Sequence, residues 1–557
     1  MARFARDCLY KMQCMSKQLE VALGPDTADL EIRIGLHSGP VTAGVLRGER
    51  SRFQLFGDTV NTASRVETTG SGNRIHISSD TAELLMAAGK GHWLRQRQDK
   101  VEAKGKGELT TYWLDLRGES GQSTTSGTSS ESYDGATNMK HAPAEEGKIM
   151  PAIQSVEDHH DAVPHELMSD KINRLIDWNK ELMAKLLKEV VARREAAGVQ
   201  AESASRMEEL EQEKMYRDTT VLEEVIDIIT LPQFDPSVAH RQKSADSIEL
   251  DEKVMMQLRD FVQTIAAMYN ENPFHNFEHA SHVTMSVVKL LSRVVAPDLD
   301  DDDDDDDYAD STLHDHTYGI TSDPLTQFAV VFSAIIHDLD HPGVPNMTLI
   351  NEQSSTAIAY KNKSVAEQNS VDLAWDLLMD PSFLELRRTI YTTESEFRRF
   401  RQLVVNTVMA TDIMDKDLST LRKDRWNKAF SAGECSKDVV AVNRKATIVI
   451  EHLIQASDVA HTMQHWHIYR KWNSRFFEEM RRAFKEGRSD NDPAQGWYKG
   501  EIGFFDFYVI PLAKKLKECG VFGVSSDEYL NYAQQNRQEW ELKGEGLVAE
   551  MLEQEEK

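Results

Sequence analysis

The spacing of apolar positions changes twice along this chain. Residues 31–36, E-I-R-I-G-L, alternate apolar and polar, which predicts a strand. H-S-G-P then turns the chain, V-T-A-G-V-L resumes extended structure, and R-I-H-I-S is another strand. F-G-D-T-V-N-T-A-S-R-V-E reads as a turn and a helix, with Asp58 or Thr59 as cap, and S-S-D-T-A-E-L-L as a second capped helix. This alternation predicts an α+β unit over residues 1–117. Ser, Thr and Gly dominate residues 118–150, too polar to offset chain entropy, so 118–165 is expected to be a disordered linker. Over 166–221 the period becomes helical: Ile172, Leu175, Ile176, Leu182, Leu186, Leu187 and Val190 recur between Lys, Glu and Arg. Fewer than three clean heptads are present, which favours a helix packed on the next domain over a dimerising coiled coil. From 222 to 545 helical periodicity is pervasive, as in V-M-M-Q-L-R-D-F-V-Q-T-I-A-A-M-Y, and no convincing strand is seen. An all-α domain is expected there, with 546–557 as a tail. Residues 296–323 interrupt two helices. Their run Asp300–Asp307 is self-repelling and predicts a solvated loop; it lacks the spacing and turn glycine of a calcium loop.

A length of 557 residues suits two or three domains, and 40% apolar content suits ordinary cores. The net charge of −28 opposes a nucleic-acid surface, since phosphate would be repelled. No run of 18 apolar residues offers a membrane span, and the first residues lack an apolar signal core. Cys8, Cys14, Cys435 and Cys519 show no paired metal spacing and fit a reducing compartment.

Against this background three stretches concentrate chemistry. F-H-N-F-E-H-A-S-H-V (274–283) holds His275, Asn276, His279 and His282; read as helix, it puts His275 and His279 on one face. I-H-D-L-D-H-P (336–342) adds His337, Asp338 and His341, and Q-A-S-D-V-A-H adds Asp458. Taken singly, each histidine fits a packed core. The order H, then H-D, then a distant D is that of an HD-type metal hydrolase, because imidazoles and carboxylates are ligands for zinc and harder divalent ions.

Residues 222–545 resemble the catalytic domain of a class I 3′,5′-cyclic-nucleotide phosphodiesterase. F-H-N-F-E-H-A, I-I-H-D-L-D-H-P-G-V-P-N, M-A-T-D-I-M, S-D-V-A-H and G-F-F-D-F-Y-V-I-P-L follow that family's order. The resemblance implies an all-α HD-type fold and two divalent ions, zinc and magnesium or manganese. It implies His279, His337, Asp338 and Asp458 as ligands, Asp338 bridging the two ions. His275 would be the general acid, oriented by Glu367, with His341 and Asp412 behind the ligands. Phe504 and Phe476 would clamp the purine. Three positions depart from the family: Glu501 stands where it has a purine-binding glutamine, His461 where an asparagine is frequent, and Asn369-Ser370 where a histidine pair is usual.

Residues 29–114 resemble the C-terminal half of a class III nucleotidyl cyclase domain, on the guanylate branch. I-G-L-H-S-G-P-V, L-F-G-D-T-V-N-T-A-S-R-V-E-T and K-G-K-G-E-L-T-T-Y-W-L carry the likeness. It implies a partial ferredoxin-like α+β domain. Asn61 and Arg65 would face ribose and α-phosphate, Lys104 or Lys106 the outer phosphates, and Gln54 the base-reading position. The family's two metal aspartates lie in the half that is missing, so cyclisation by this chain alone is not expected.

Together these resemblances imply a multidomain signal-transduction hydrolase. It would convert a 3′,5′-cyclic nucleotide to its 5′-monophosphate, cGMP in preference to cAMP, beside part of a guanylate cyclase. The alternatives are an HD-type nucleotide phosphohydrolase and a non-catalytic cyclic-nucleotide-binding module. Expected partners are the cyclic nucleotide and either a second copy of the chain or the missing cyclase half. The expected location is cytoplasmic, or membrane-associated if the full-length parent is a receptor cyclase.

Overall fold

The computed structural model describes residues 1–23, 31–46, 52–97, 101–103, 107–114, 170–215, 221–294, 312–430 and 438–555. The expected linker, the Asp300–Asp307 run, Lys104, Lys106 and the Gln54 side chain lie outside the description. The chain divides into two compact units, 1–149 and 150–557.

In the first unit, four strands pair in the order Arg33–Leu36, Arg74–Ser78, Thr111–Leu114, Leu94–Gln96. The first pair is parallel, Ile34 beside Ile75 and Leu36 beside Ile77. The other two are antiparallel and meet at Trp113, which faces His76 on one side and Arg95 on the other. Thr42–Leu46 and Arg52–Phe56 form a separate antiparallel pair. Ile75, Ile77, Ala82, Trp93 and Leu114 make a small core, to which helix Ala2–Leu23 adds Ala5. Ser78 caps helix Ser79–Ala87, accepting from Thr81 N. Helix Asp58–Thr68 departs from expectation: neither Asp58 nor Thr59 caps it. Gly57, at φ 122°, holds the cap position, a backbone conformation costly for residues with a Cβ, and Asp58 falls in the first turn.

The second unit is helical, with no strand among its described residues. Helix Pro324–Ile336 is buried on nearly every side, only Gln327 escaping. Its all-round apolar sequence, F-A-V-V-F-S-A-I-I, requires partners on every face. Helices Asp170–Ala197, Phe277–Ser292 and Glu394–Met409 supply them. Leu175, Ile176, Met183, Leu187 and Val190 of the first of these lie in the same core as Phe328 and Phe332. Residues 312–323, expected within the solvated loop, fold back on the core, because Ile320 is apolar and fully buried there. Residues 546–555, expected as a tail, are the last turns of helix Gly523–Glu555 and bury Leu547, Val548 and Met551.

Candidate metal centre and substrate site

The stretch 274–283 is not one helix. Asn276 caps helix Phe277–Ser292, accepting from His279 N at 3.0 Å and donating to Asn272 O at 2.7 Å. Asparagine is among the strongest N-caps. His275 therefore precedes the helix, and the predicted shared face with His279 does not exist. The two rings lie 6.0 Å apart, edge to face. The cap fixes His279 in the first turn. His282, one turn on, leaves the cluster and meets Gln464 Oε1 at 3.2 Å.

His337 sits at the C-terminal cap of helix Pro324–Ile336, and its Nδ1–H donates to Ala334 O at 2.9 Å. That bond leaves the Nε2 lone pair for the interior of the site. His337 Nε2 lies 3.0 Å from Asp338 Oδ2 and 3.4 Å from Asp458 Oδ1. His279 Nε2 lies 3.1 Å from Asp458 Oδ1 and 3.7 Å from Asp338 Oδ2. Asp458 closes helix Val439–Asp458. Four ligand atoms from three distant stretches thus fall within 4.8 Å of one another. Ligands about 2.0–2.2 Å from one divalent ion are separated by about 3.0–3.5 Å, so this spacing and the N₂O₂ donor set fit a metal. Burial opposes charge here, yet Asp338 and Asp458 are held well below the usual carboxylate range by the imidazoles of His337 and His279.

Beside this cluster His275, His341 and Glu479 form a second one. His275 Nδ1 is hydrogen-bonded to Glu479 Oε1, while Glu479 Oε2 accepts the backbone N–H groups of Phe274 at 2.9 Å and His275 at 3.0 Å. Burial works against both ions, but the pairing prevails: His275 is raised and Glu479 falls to about 2. An imidazolium with one edge held by a carboxylate presents its other N–H as a proton donor. His341 stacks on His275 with centroids 3.9 Å apart and takes the Gly343 N–H on Nδ1. Burial and the His275 charge push His341 down to about 3, so it stays neutral. Gly343 is required, since φ is +69° and a Cβ would meet Asn272 Oδ1 at 2.9 Å.

Glu367, expected to orient His275, does something else. It accepts from Asn346 Nδ2 at 2.9 Å, and burial together with the Asp412 charge pushes it up to about 8. Asp412 is itself a turn anchor, accepting the N–H groups of Met414 and Asp415. Sequence reading missed Glu479 because its partner is remote. A signal was present: Trp472, Phe476 and Ala483 place Glu479 in phase with the buried side of helix Trp466–Lys485, an odd position for an unpaired acid.

The residues expected at the base come from three segments: Phe476 from helix Trp466–Lys485, Glu501 and Phe504 from helix Trp497–Phe504, and His461 from the turn Ala460–Met463. Phe476 packs against Phe274 and Trp497, and Phe504 stacks on Tyr508, ahead of the π-helical turn Phe505–Val509. Glu501 is buried; Tyr469 Oη donates to its Oε2 at 2.7 Å, and Trp497 Nε1 ties Asn473 into the same network. Burial lifts the Glu501 carboxyl to about 7, against the pull of Tyr469 and Asn473. His461, also buried, is kept well below its ordinary value by burial and by His279 and His282. In the first unit Asn61 and Arg65 stand one turn apart on helix Asp58–Thr68, Asn61 exposed and Arg65 half-buried, while Gln54 lies on strand Arg52–Phe56.

Residues 274–521 match the family model described as 3'5'-cyclic nucleotide phosphodiesterase. Residues 3–116 match the adenylate and guanylate cyclase catalytic domain. A Caenorhabditis elegans protein named as a probable 3',5'-cyclic-AMP phosphodiesterase is 28% identical over 255 residues, 44% of this chain and 34% of that protein. Mouse guanylate cyclase 2G is 53% identical over 85 residues, 15% of this chain and 8% of its own length. The chain thus spans about a third or less of the curated relatives it matches. The phosphodiesterase domain of a Salpingoeca rosetta rhodopsin phosphodiesterase aligns over 62% of this chain and 97% of that domain, with 22% identity and a TM-score of 0.43. The chain thus joins a segment that matches the 3'5'-cyclic nucleotide phosphodiesterase family model, residues 274–521, to one that matches the adenylate and guanylate cyclase catalytic domain model, residues 3–116.

Proposed function

We propose that the second unit hydrolyses a 3′,5′-cyclic nucleotide to its 5′-monophosphate, with cGMP preferred over cAMP. The observation that carries this is the convergence of His279, His337, Asp338 and Asp458 beside a histidine held by a carboxylate. His279, His337, Asp338 and Asp458 would hold one divalent ion, zinc, and Asp338 would share a second, magnesium or manganese. When bound, such a pair supplies a nucleophile from water and neutralises charge at phosphorus. His275 protonates the departing O3′, and Glu479 keeps that imidazole charged and oriented until transfer. His341, neutral and stacked on His275, supports the ring without competing for its proton. Phe504 and Phe476 hold the purine between aromatic faces, an interaction of about 1–3 kcal/mol. Glu501 in its ionised form offers two acceptors to the N1–H and 2-amino group of guanine, whereas adenine would set a lone pair against it. In the first unit, Asn61 and Arg65 would face a nucleotide's ribose and α-phosphate.

The test is direct. The full chain, supplied with a divalent ion, should release 5′-monophosphate from cGMP faster than from cAMP, and a chelator should stop both reactions. Chelator-resistant turnover would remove the metal assignment, and turnover of linear but not cyclic nucleotides would remove the substrate class.

A further inference from the structure

Glu501 differs from the acids of the two histidine clusters. Asp338, Asp458 and Glu479 each face an imidazole. Glu501 has no ion pair among the described residues; its contacts are neutral, Tyr469 at Oε2 and the Asn473 amide. Among the described residues, the elements packed around it bring no charge to it. Helix Trp466–Lys485 presents Tyr469, among the described residues the one titratable group that faces Glu501. The turn Phe505–Val509 and helix Gly523–Glu555 bring Phe505 and Trp540 against the Tyr469 ring. Their charged residues Asp506, Arg537 and Glu541 pair with one another at the surface. Beside the turn Pro493–Gln495, Asp492 is taken up by Arg481. A carboxyl in these surroundings has little to hold it ionised.

Resting on the phosphodiesterase reading above, we propose that Glu501 selects the purine through its own protonation: ionised it admits guanine, and protonated it admits guanine and adenine alike. The hydrogen-bond inventory gives the reason. Tyr469 Oη–H occupies Oε2, so an added proton resides on Oε1. The neutral carboxyl then offers one donor and one acceptor, as a glutamine amide does. Adenine meets it with N1 accepting and N6–H donating; guanine meets it with O6 accepting and N1–H donating. Loss of the proton leaves acceptors only. Guanine can still give N1–H and an amino hydrogen, but adenine N1 then faces a lone pair with nothing between them. A buried repulsion of that kind lowers the rate for the rejected base ~10- to 100-fold.

The direction with pH follows. The Glu501 carboxyl is raised by burial to about 7, so it is mainly protonated below that value and mainly ionised above it. Preference for cGMP therefore grows as pH rises, and fades toward a dual enzyme as pH falls. Groups common to both reactions, His275 among them, cancel when the two substrates are compared.

The experiment measures kcat/KM for cGMP and for cAMP with the full chain, from about pH 6 to about pH 8. The cGMP-to-cAMP ratio should climb with pH, passing half of its rise near the value for Glu501. In Glu501→Gln the ratio should be flat and close to the low-pH value of the unmodified protein. In Tyr469→Phe, which removes the donor that favours the carboxylate, the rise should shift to higher pH. A flat ratio in the unmodified protein, or the same rise in Glu501→Gln, overturns the proposal while leaving the phosphodiesterase reading intact. No hydrolysis of either nucleotide at any pH overturns that reading and this proposal with it.

Discussion

His275 Nδ1 and Glu479 Oε1 meet across 204 positions of sequence, and the same carboxylate also binds the backbone N–H of His275. Ring and main chain are thus gripped together. Glu479 raises the His275 pKa despite burial, so removing its charge should lower it. In Glu479→Gln the protonated acid should be lost at lower pH. The alkaline limb of kcat should move down the pH scale, with a ~10- to 100-fold loss at neutral pH. An unchanged alkaline limb would deny Glu479 its positioning role.

His275→Ala should lower kcat by ~10²–10⁴-fold while bound metal stays near that of the unmodified protein. Elemental analysis alongside kinetics decides the matter. Metal lost together with activity would make His275 a ligand rather than the proton donor.

Asp338→Ala should abolish turnover and reduce bound metal, because its Oδ2 lies within reach of both His337 and His279. Retained metal and retained activity would take Asp338 out of the centre.

Glu278 is bound by Lys171 at 2.9 Å and by Arg475 at 3.0 Å. Burial opposes its charge, but these cations hold it at about 2. A depressed carboxyl stabilises the fold above its unfolded value of about 4.3 and loses that contribution as pH falls toward its folded value. Glu278→Gln should therefore cost about 1–3 kcal/mol at neutral pH. The difference should shrink steadily between about pH 4 and about pH 2. Urea unfolding at several pH values measures it, and a constant difference would refute the pairing.

The cluster of His279, His337, Asp338 and Asp458 was legible in the sequence because histidines and aspartates standing in that order carry their chemistry openly. The all-α reading followed from periodicity, which a helix such as Pro324–Ile336 satisfies locally. Relations between distant stretches were not legible. Glu367 and Glu479 are both acids on helices, and only the packing of helix Trp466–Lys485 brings Glu479 rather than Glu367 to His275. Likewise H-N-F-E-H reads as helix by spacing until Asn276 is seen to act as a cap. The state of Glu501 was hidden for a different reason. A one-letter acid says nothing of its burial, and burial without a cation is what lifts this carboxyl toward neutrality.

The contact between His279 and Asp458 spans 179 positions, and it bears on biosynthesis as well as on the site. A chain still emerging from the ribosome has His279, His337 and Asp338 long before Asp458, and Glu479 later still. Loops of this length close late, after local helices have formed. A nascent chain can therefore neither assemble the full ligand set nor hold His275 until most of the helical unit has been made. If the proposed function holds, turnover would be withheld from incomplete chains by topology alone, and metal capture would mark a molecule that has finished folding.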